Sequence, residues 1–468
     1  MKLNEQPIHK LITLLDRDEI TSVDIINDLY HAIEHKEDQV KAYLSLASQD
    51  ELNSRIDPDH SGRLRNIPIA VKDIISTVDF ITTCGSKFLK DFRPIYDATA
   101  IRRLKVEGAL IMGKTNLDEF AMGSSTENSA FFDTHNPHDL ERVPGGSSGG
   151  STAAVAAGEA ICALGTDTGG SIRLPAAFCG VVGFKPTYGL ISRFGLVAYA
   201  SSLDQIGPIT RDVQDAAILL NVIAGRDLRD STSIDRNTRD YTEGLGDGIE
   251  GCIMGVPNEY LEGLSEEAQA KVNTWVSTFK DLGAEIRQVS LPHTEYAIPT
   301  YYLIASSEAS ANLARFDGVR YTSRTSNRSV DEMFSESRDA GFGPEVKRRI
   351  MLGTYALSAG YYDQFYGKAQ KVRTLIKQDF DAVFGQVDLL IAPVSPTPAF
   401  KLGEKIDDPL TMYLSDIYTI PVNLAGIPAI SIPGGRVNGL PFGLQIIGDR
   451  LMERRILQAA YAFEQATQ

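Results

Sequence analysis

Two runs rich in glycine and hydroxyl groups carry the residue types that could do chemistry. Pro144-Gly-Gly-Ser147-Ser148-Gly-Gly-Ser151 precedes an alanine-rich stretch, and Gly165-Thr-Asp167-Thr-Gly169-Gly170-Ser171-Ile-Arg173 follows it. In the second run Gly169, Gly170 and Ser171 offer successive backbone N–H groups with no Cβ in the way at the two glycines, as an oxyanion hole around a nucleophile at Ser171 requires. A glycine-rich turn in which Ser171 satisfies a helix end fits the same residues. A serine nucleophile needs a base, and neither run contains a histidine. His135 and His138 share a polar stretch with Asn136 and Pro137, which suits a surface loop. Lys72 is the better candidate. It lies in Ile67-Pro-Ile-Ala-Val-Lys72-Asp73-Ile-Ile75, where period-two alternation puts it on the face of Ala70 and Ile74 and puts Asp73 opposite. A lysine buried without an adjacent carboxylate loses its proton readily and serves as a general base near neutral pH. A lysine snorkelling from a strand end is the competing reading.

Two further matches are decoys. Gly108-Ala-Leu-Ile-Met-Gly113-Lys114-Thr115 has the letters of a phosphate loop, but its intervening residues form an apolar, strand-like run instead of a flexible cradle. A strand followed by a turn is expected there. Gly145-Gly-Ser147-Ser-Gly149 fits a nucleophile elbow, yet Asp139 to Pro144 is too polar and Pro-broken to be the strand that an elbow must follow.

The elements that would position these groups follow from periodicity. Ser22 caps a helical pattern of Val23, Ile25, Ile26, Leu29 and Ile33, so the first 50 residues read as a helical layer. Thr152 to Leu164, built almost wholly of small residues, reads as a tightly packed buried helix. Both flanking Gly/Ser loops are then held near the core, where their hydroxyls and amides need partners. Short apolar runs at Ile67 to Val71, Ala109 to Met112, Leu389 to Ala392, Ala429 to Ile432 and Leu444 to Ile447 read as strands. Cys252 to Val256, Ser265 to Leu282 and Ala284 to Val289 form a strand–helix–strand unit, with Ser265 capping and Glu266 and Glu267 in the first helical turn. One large α/β domain is the expected architecture.

The 468 residues are 43% apolar and 23% charged with a formal net charge of −15, a globular composition. That acidity argues against this chain alone gripping nucleic acid or an anionic membrane. Residues 1–16 lack an uninterrupted apolar region of the signal-peptide kind. Cys84, Cys162, Cys179 and Cys252 are far apart with no C-x-x-C pair, which disfavours a zinc site and a disulfide scaffold and suits a reducing cytoplasm.

The block from Pro144 to Thr187, together with Lys72, resembles the signature of the amidase signature enzymes, and the resemblance runs over nearly the whole chain. It implies a Ser-cisSer-Lys triad of Lys72, Ser147 and Ser171, with Ser171 the nucleophile and Ser147, after a cis peptide from Gly146, relaying the proton to Lys72. The oxyanion would rest on backbone N–H groups of Thr168, Gly169, Gly170 and Ser171. The implied fold is a single α/β domain over 1–468 with a mixed central sheet covered by helices on both faces. Its parts are an N-terminal helical layer (1–60), a signature core (65–215) and a remaining portion (250–468) with the substrate-binding residues.

Asp118 to Asn128, Ser306 to Asp317, Val346 to Thr354 and Asp407 to Tyr413 are similar to the glutamine-hydrolysing branch of that family. This implies that Arg349 and Asp416 clamp the α-carboxylate and α-amino group of glutamine, assisted by Tyr301. Helical geometry independently favours Arg349 over Arg348: at about 100° per residue, Val346, Ile350, Gly353 and Leu357 share a stripe that Arg349 flanks and Arg348 opposes. A surface ion pair with Glu345 is the plain alternative for Arg349. Phe131 to His138 departs from the branch's pattern beside the catalytic loop. The resemblance further implies a cytoplasmic heterotrimer with amidotransferase B and C subunits, tRNA contacted only through a partner, ATP and magnesium on that partner, and no cofactor or metal ligand set in this chain. A stand-alone amidase acting on another small amide is the alternative function.

Overall fold

Continuous apolar runs bounded by Gly and Pro become buried strands, while the two edge strands of the sheet are more exposed. In the computed structural model, which describes residues 2–235, 240–321, 323–326 and 329–467, they assemble into one sheet. Its strands are β1 (Tyr43–Leu46), β2 (Pro68–Lys72), β3 (Leu110–Thr115), β4 (Cys162–Asp167), β5 (Val182–Lys185), β6 (Gln205–Thr210), β7 (Ile253–Pro257), β8 (Glu285–Val289), β9 (Leu389–Pro393), β10 (Ala429–Val437) and β11 (Leu440–Gly448). Their order is β1-β3-β2-β4-β6-β5-β10-β11-β9-β7-β8. The sheet is mixed, as expected: β3, β2 and β4 run parallel, as do β9, β7 and β8, and antiparallel pairs join the two groups. Every residue of β2, β3 and β4 is buried, and Pro68 opens β2, where its missing N–H costs least.

The strand–helix–strand unit forms as read: Ser265 caps the helix Glu266–Asp281 by accepting from Ala268 N–H, and β7 pairs with β8 in parallel. Gly108 to Thr115 contains strand β3 and no phosphate cradle. Lys114 is buried within that strand and held by Asp73 (2.9 Å), the Ile75 carbonyl (2.9 Å) and Thr82 (2.8 Å).

Three local expectations need correction. The N-cap of the helix Ser22–Val40 is Thr21, whose side chain closes a reciprocal box with Asp24. The first 50 residues are not all helical, because Tyr43–Leu46 pairs antiparallel with β3 at the sheet edge. The small-residue helix is Gly149–Ala157 and stops at Gly158, which takes the left-handed conformation (φ 79°); the remainder of the stretch expected to be helical leads into β4. Alanine and cysteine suit either element when buried, and the glycine decides. No helix among the described residues is long and apolar enough to cross a membrane.

Candidate active site

Adjacent parallel strands β2 and β4, with Val71 opposite Leu164, bring their C-terminal ends together. Lys72 closes β2, and the 168–171 loop leaves β4 after Asp167. Ser147 comes in from the other side, following a cis Gly146–Ser147 peptide just before the helix Gly149–Ala157. The three converge. Lys72 Nζ is 2.7 Å from Ser147 Oγ, 2.9 Å from Ser148 Oγ and 2.9 Å from Thr166 Oγ1. Lys72 and Ser147 are fully buried, while Ser171 keeps 8% exposure. Asp73, next in sequence, is turned away to Lys114. Burial pulls the Lys72 amine down to about 7, against the opposing through-space pull of Asp118, Asp167 and Asp204. The snorkelling alternative is thereby excluded.

The loop bearing Ser171 is shaped by a buried ion pair. Asp167 accepts from Gly170 N–H (2.9 Å), Arg173 Nε (3.0 Å) and Asn423 Nδ2 (2.9 Å). Burial works to raise this carboxyl, and Arg173 overrides it, holding it at about 2. Gly170 N–H is therefore committed to Asp167, which removes it from the expected set of four free donors. The N–H groups of Thr168, Gly169 and Ser171 have no acceptor among the described residues. Both glycines are required by space: a Cβ at Gly169 would lie 2.7 Å from Tyr301 Cζ, and one at Gly170 (φ 141°) would lie 2.2 Å from Thr419 Oγ1 and 2.9 Å from Asp416 Oδ1.

Those contacts place Tyr301 and Asp416 directly against the loop. Tyr301 rides on the helix Ala297–Asn312 and Arg349 on the helix Pro344–Leu357. The two helices approach closely at Gly353, where a Cβ would fall 1.9 Å from the Ser306 carbonyl oxygen. Arg349 enters the interior as its helical phase requires: its side chain is 4% exposed against 50% for Arg348. The pair with Glu345 exists (2.7 Å to Arg349 Nε), but it is buried, not a surface pair. Arg349 Nη1 donates to Tyr199 Oη at 2.6 Å, and the rings of Tyr199, Tyr302 and Tyr413 surround the guanidinium at 5.0 to 5.7 Å. Nη2 has no partner among the described residues and remains for a ligand. Asp416 accepts a hydrogen bond from Ser124 Oγ, and burial pushes its carboxyl up to about 7. An ammonium ion bound there would reverse that shift.

A cavity of about 650 Å³ has Arg349, Glu345, Tyr413, Glu119 and Ser125 in its walls, and neither Asp416 nor Tyr301. Lys72, Ser147 and Ser171 do not line it. His135 and His138 are loop residues whose ring nitrogens meet the Leu140 and Cys179 carbonyls, so neither acts as the base. The four cysteines are buried and unpaired. Among the described residues two groups place three possible metal ligands together, His31/Glu34/His35 and His9/Asp212/Asp215, and neither includes a residue of this site. Sequence reasoning missed Ser148, Thr166, Tyr199 and Asp204. Ser148 and Thr166 lie within the two glycine-rich runs, which was the available signal; the others become neighbours only through the fold.

A family model described as Amidase matches residues 24–457. The chain belongs to the amidase family. Among curated amidases, it is 58% identical over its whole length, and over 98% of the relative, to the A subunit of glutamyl-tRNA(Gln) amidotransferase from Halothermothrix orenii. It is 59% identical, with the same coverage, to the protein of that name from a Geobacillus species. The crystal structure of the A subunit of glutamyl-tRNA(Gln) amidotransferase from Thermotoga maritima superposes with a TM-score of 0.85 at 44% identity, covering 99% of this chain and 95% of that one. A bacterial aryl acylamidase of the amidase signature family gives 0.86 at 26% identity, covering 99% and 96%. The amidase fold is thus shared by members that differ in substrate.

Proposed function

We propose that this amidase is the glutamine-hydrolysing A subunit of a glutamyl-tRNA(Gln) amidotransferase, releasing ammonia for the amidation of Glu-tRNA(Gln), of Asp-tRNA(Asn), or of both. The observation that carries this reading is the placement of a buried arginine with a spare Nη2 and a buried carboxylate beside one serine–lysine cluster. That pair matches the two charges of a free α-amino acid. The near-complete coverage of relatives bearing that name supports it.

In this reading neutral Lys72 accepts the Ser147 proton while Ser147 Oγ accepts that of Ser171, and Ser171 Oγ attacks the glutamine side-chain carbonyl carbon. The free N–H groups of Thr168, Gly169 and Ser171 face the developing oxyanion. As the C–N bond breaks, the proton returns from Lys72 through Ser147 to the leaving nitrogen, giving ammonia and a γ-glutamyl ester on Ser171. Water, deprotonated along the same relay, then releases glutamate. Arg349 Nη2 holds the α-carboxylate, Asp416 the α-ammonium, and Tyr301 packs over Gly169. B and C subunits complete the cytoplasmic heterotrimer; ATP, magnesium and tRNA belong to the partner side, in keeping with the net charge of −15. The test is ammonia release from glutamine with and without those subunits and tRNA. Abolition by Ser171→Ala and stimulation by the partners are expected; wild-type turnover in Ser171→Ala, or indifference to the partners with no preference for glutamine, overturns the reading.

A further inference from the structure

The ladder between β4 and β6 pairs Asp167 with Gln205, so the next step outward sets Thr168 of the serine loop beside Asp204. The side chains meet: Thr168 Oγ1 donates to Asp204 Oδ1 at 2.7 Å. The same carboxylate accepts from Tyr199 N–H (2.9 Å to Oδ2) and from Ala200 N–H (3.1 Å to Oδ1 and 3.0 Å to Oδ2). Tyr199 in turn accepts Arg349 Nη1 on its phenol oxygen at 2.6 Å. Asp204 is 3% exposed and has no cationic hydrogen-bond partner among the described residues, so its buried oxygens are satisfied by this set of N–H and O–H donors.

We propose that Asp204 is a positioning residue that fixes the oxyanion loop and the α-carboxylate clamp relative to each other through one carboxylate. It touches no substrate atom. On one side it orients Thr168, whose backbone N–H opens the donor series at Ser171. On the other it pins the backbone at Tyr199, and so the hydroxyl that aims Arg349. The distance from the amino acid's carboxylate to its side-chain amide is then matched to the distance from Arg349 to Ser171 by a rigid strut. An acid one methylene shorter or longer is penalised even though each end of the site binds normally.

This inference rests on the glutaminase reading, and the two fail separately. Glutamine hydrolysis by the assembled complex is measured for Thr168→Val, Thr168→Ser, Tyr199→Phe and Asp204→Ala. Thr168→Val is expected to lower kcat about tenfold with KM little changed, and Thr168→Ser to restore it. Tyr199→Phe is expected to raise KM about tenfold with little change in kcat. Asp204→Ala moves both. Should Asp204→Ala fail to fold, the Thr168 and Tyr199 variants still decide. Wild-type kcat in Thr168→Val together with wild-type KM in Tyr199→Phe overturns the proposal. So does a loss in every variant that affects kcat alone and follows the fraction of folded protein. Wild-type activity in Ser171→Ala would instead overturn the glutaminase reading itself.

Discussion

Lys72 Nζ lies 2.7 Å from Ser147 Oγ, deep enough that neither side chain meets solvent. An amine so placed, with its hydrogen-bond partners all oxygens of hydroxyl or carbonyl groups, sits at the balance between holding and releasing a proton.

The acid limb of the pH profile should therefore belong to Lys72. With its pKa lowered to about 7, kcat for glutamine is expected to fall about tenfold per pH unit below that value as the base becomes protonated. Lys72→Arg, cationic throughout, should be inactive at every pH. Stability moves the same way: between pH 7 and 10.5 the folded state holds fewer protons on this group than the unfolded chain, so Lys72 makes the fold more stable as pH rises through that window. Thermal unfolding of Lys72→Met, compared with wild type across that range, reads the lost slope.

Ser147→Ala should leave KM nearly unchanged and lower kcat by roughly a thousandfold, because Lys72 keeps Ser148 and Thr166 as partners but loses its path to Ser171. Steady-state kinetics with glutamine measures this; a KM effect of the same size would assign Ser147 to binding.

Arg349→Lys is expected to raise KM for glutamine by about 10- to 100-fold while kcat falls far less, since an ammonium cannot serve Glu345, Tyr199 and a carboxylate with one planar fork. Asp416→Asn should act in the same direction. Because burial raises Asp416 to about 7, wild-type KM should also climb as pH falls below that value and the carboxylate that binds the ammonium is protonated. Titration calorimetry of glutamine with Ser171→Ala separates these binding effects from chemistry.

Gly170→Ala places a Cβ 2.2 Å from Thr419 Oγ1 at a φ of 141°, and should abolish activity while costing on the order of 1–3 kcal/mol. Arg173→Met, which strands the buried Asp167 carboxylate, should cost about 3–5 kcal/mol. Urea denaturation at neutral pH checks both.

The chemical half of the site was largely legible in the sequence. Lys72 stands out as a charge inside an apolar run and Ser171 follows two glycines that suit an oxyanion hole, while Ser147 was singled out only by the resemblance to the amidase signature. Arg349 could be chosen over Arg348 from helical phase alone. Tyr199 and Asp204 could not be found that way, because their roles depend on a ladder register and on a contact across 150 residues of chain between Tyr199 and Arg349. Likewise a buried run of small residues carries no period that separates helix from strand, so the break at Gly158 became visible only in its backbone conformation.

In the proposed reaction the groups that move protons lie between residues 72 and 171 and those that hold the amino acid lie between 301 and 416, with Tyr301 and Asp416 against the serine loop. Changes in the later part of the chain can therefore retune which amide is admitted without rewriting how it is cut. Such separation lets one scaffold diversify by drift in its specificity half while selection holds the hydrolytic half fixed.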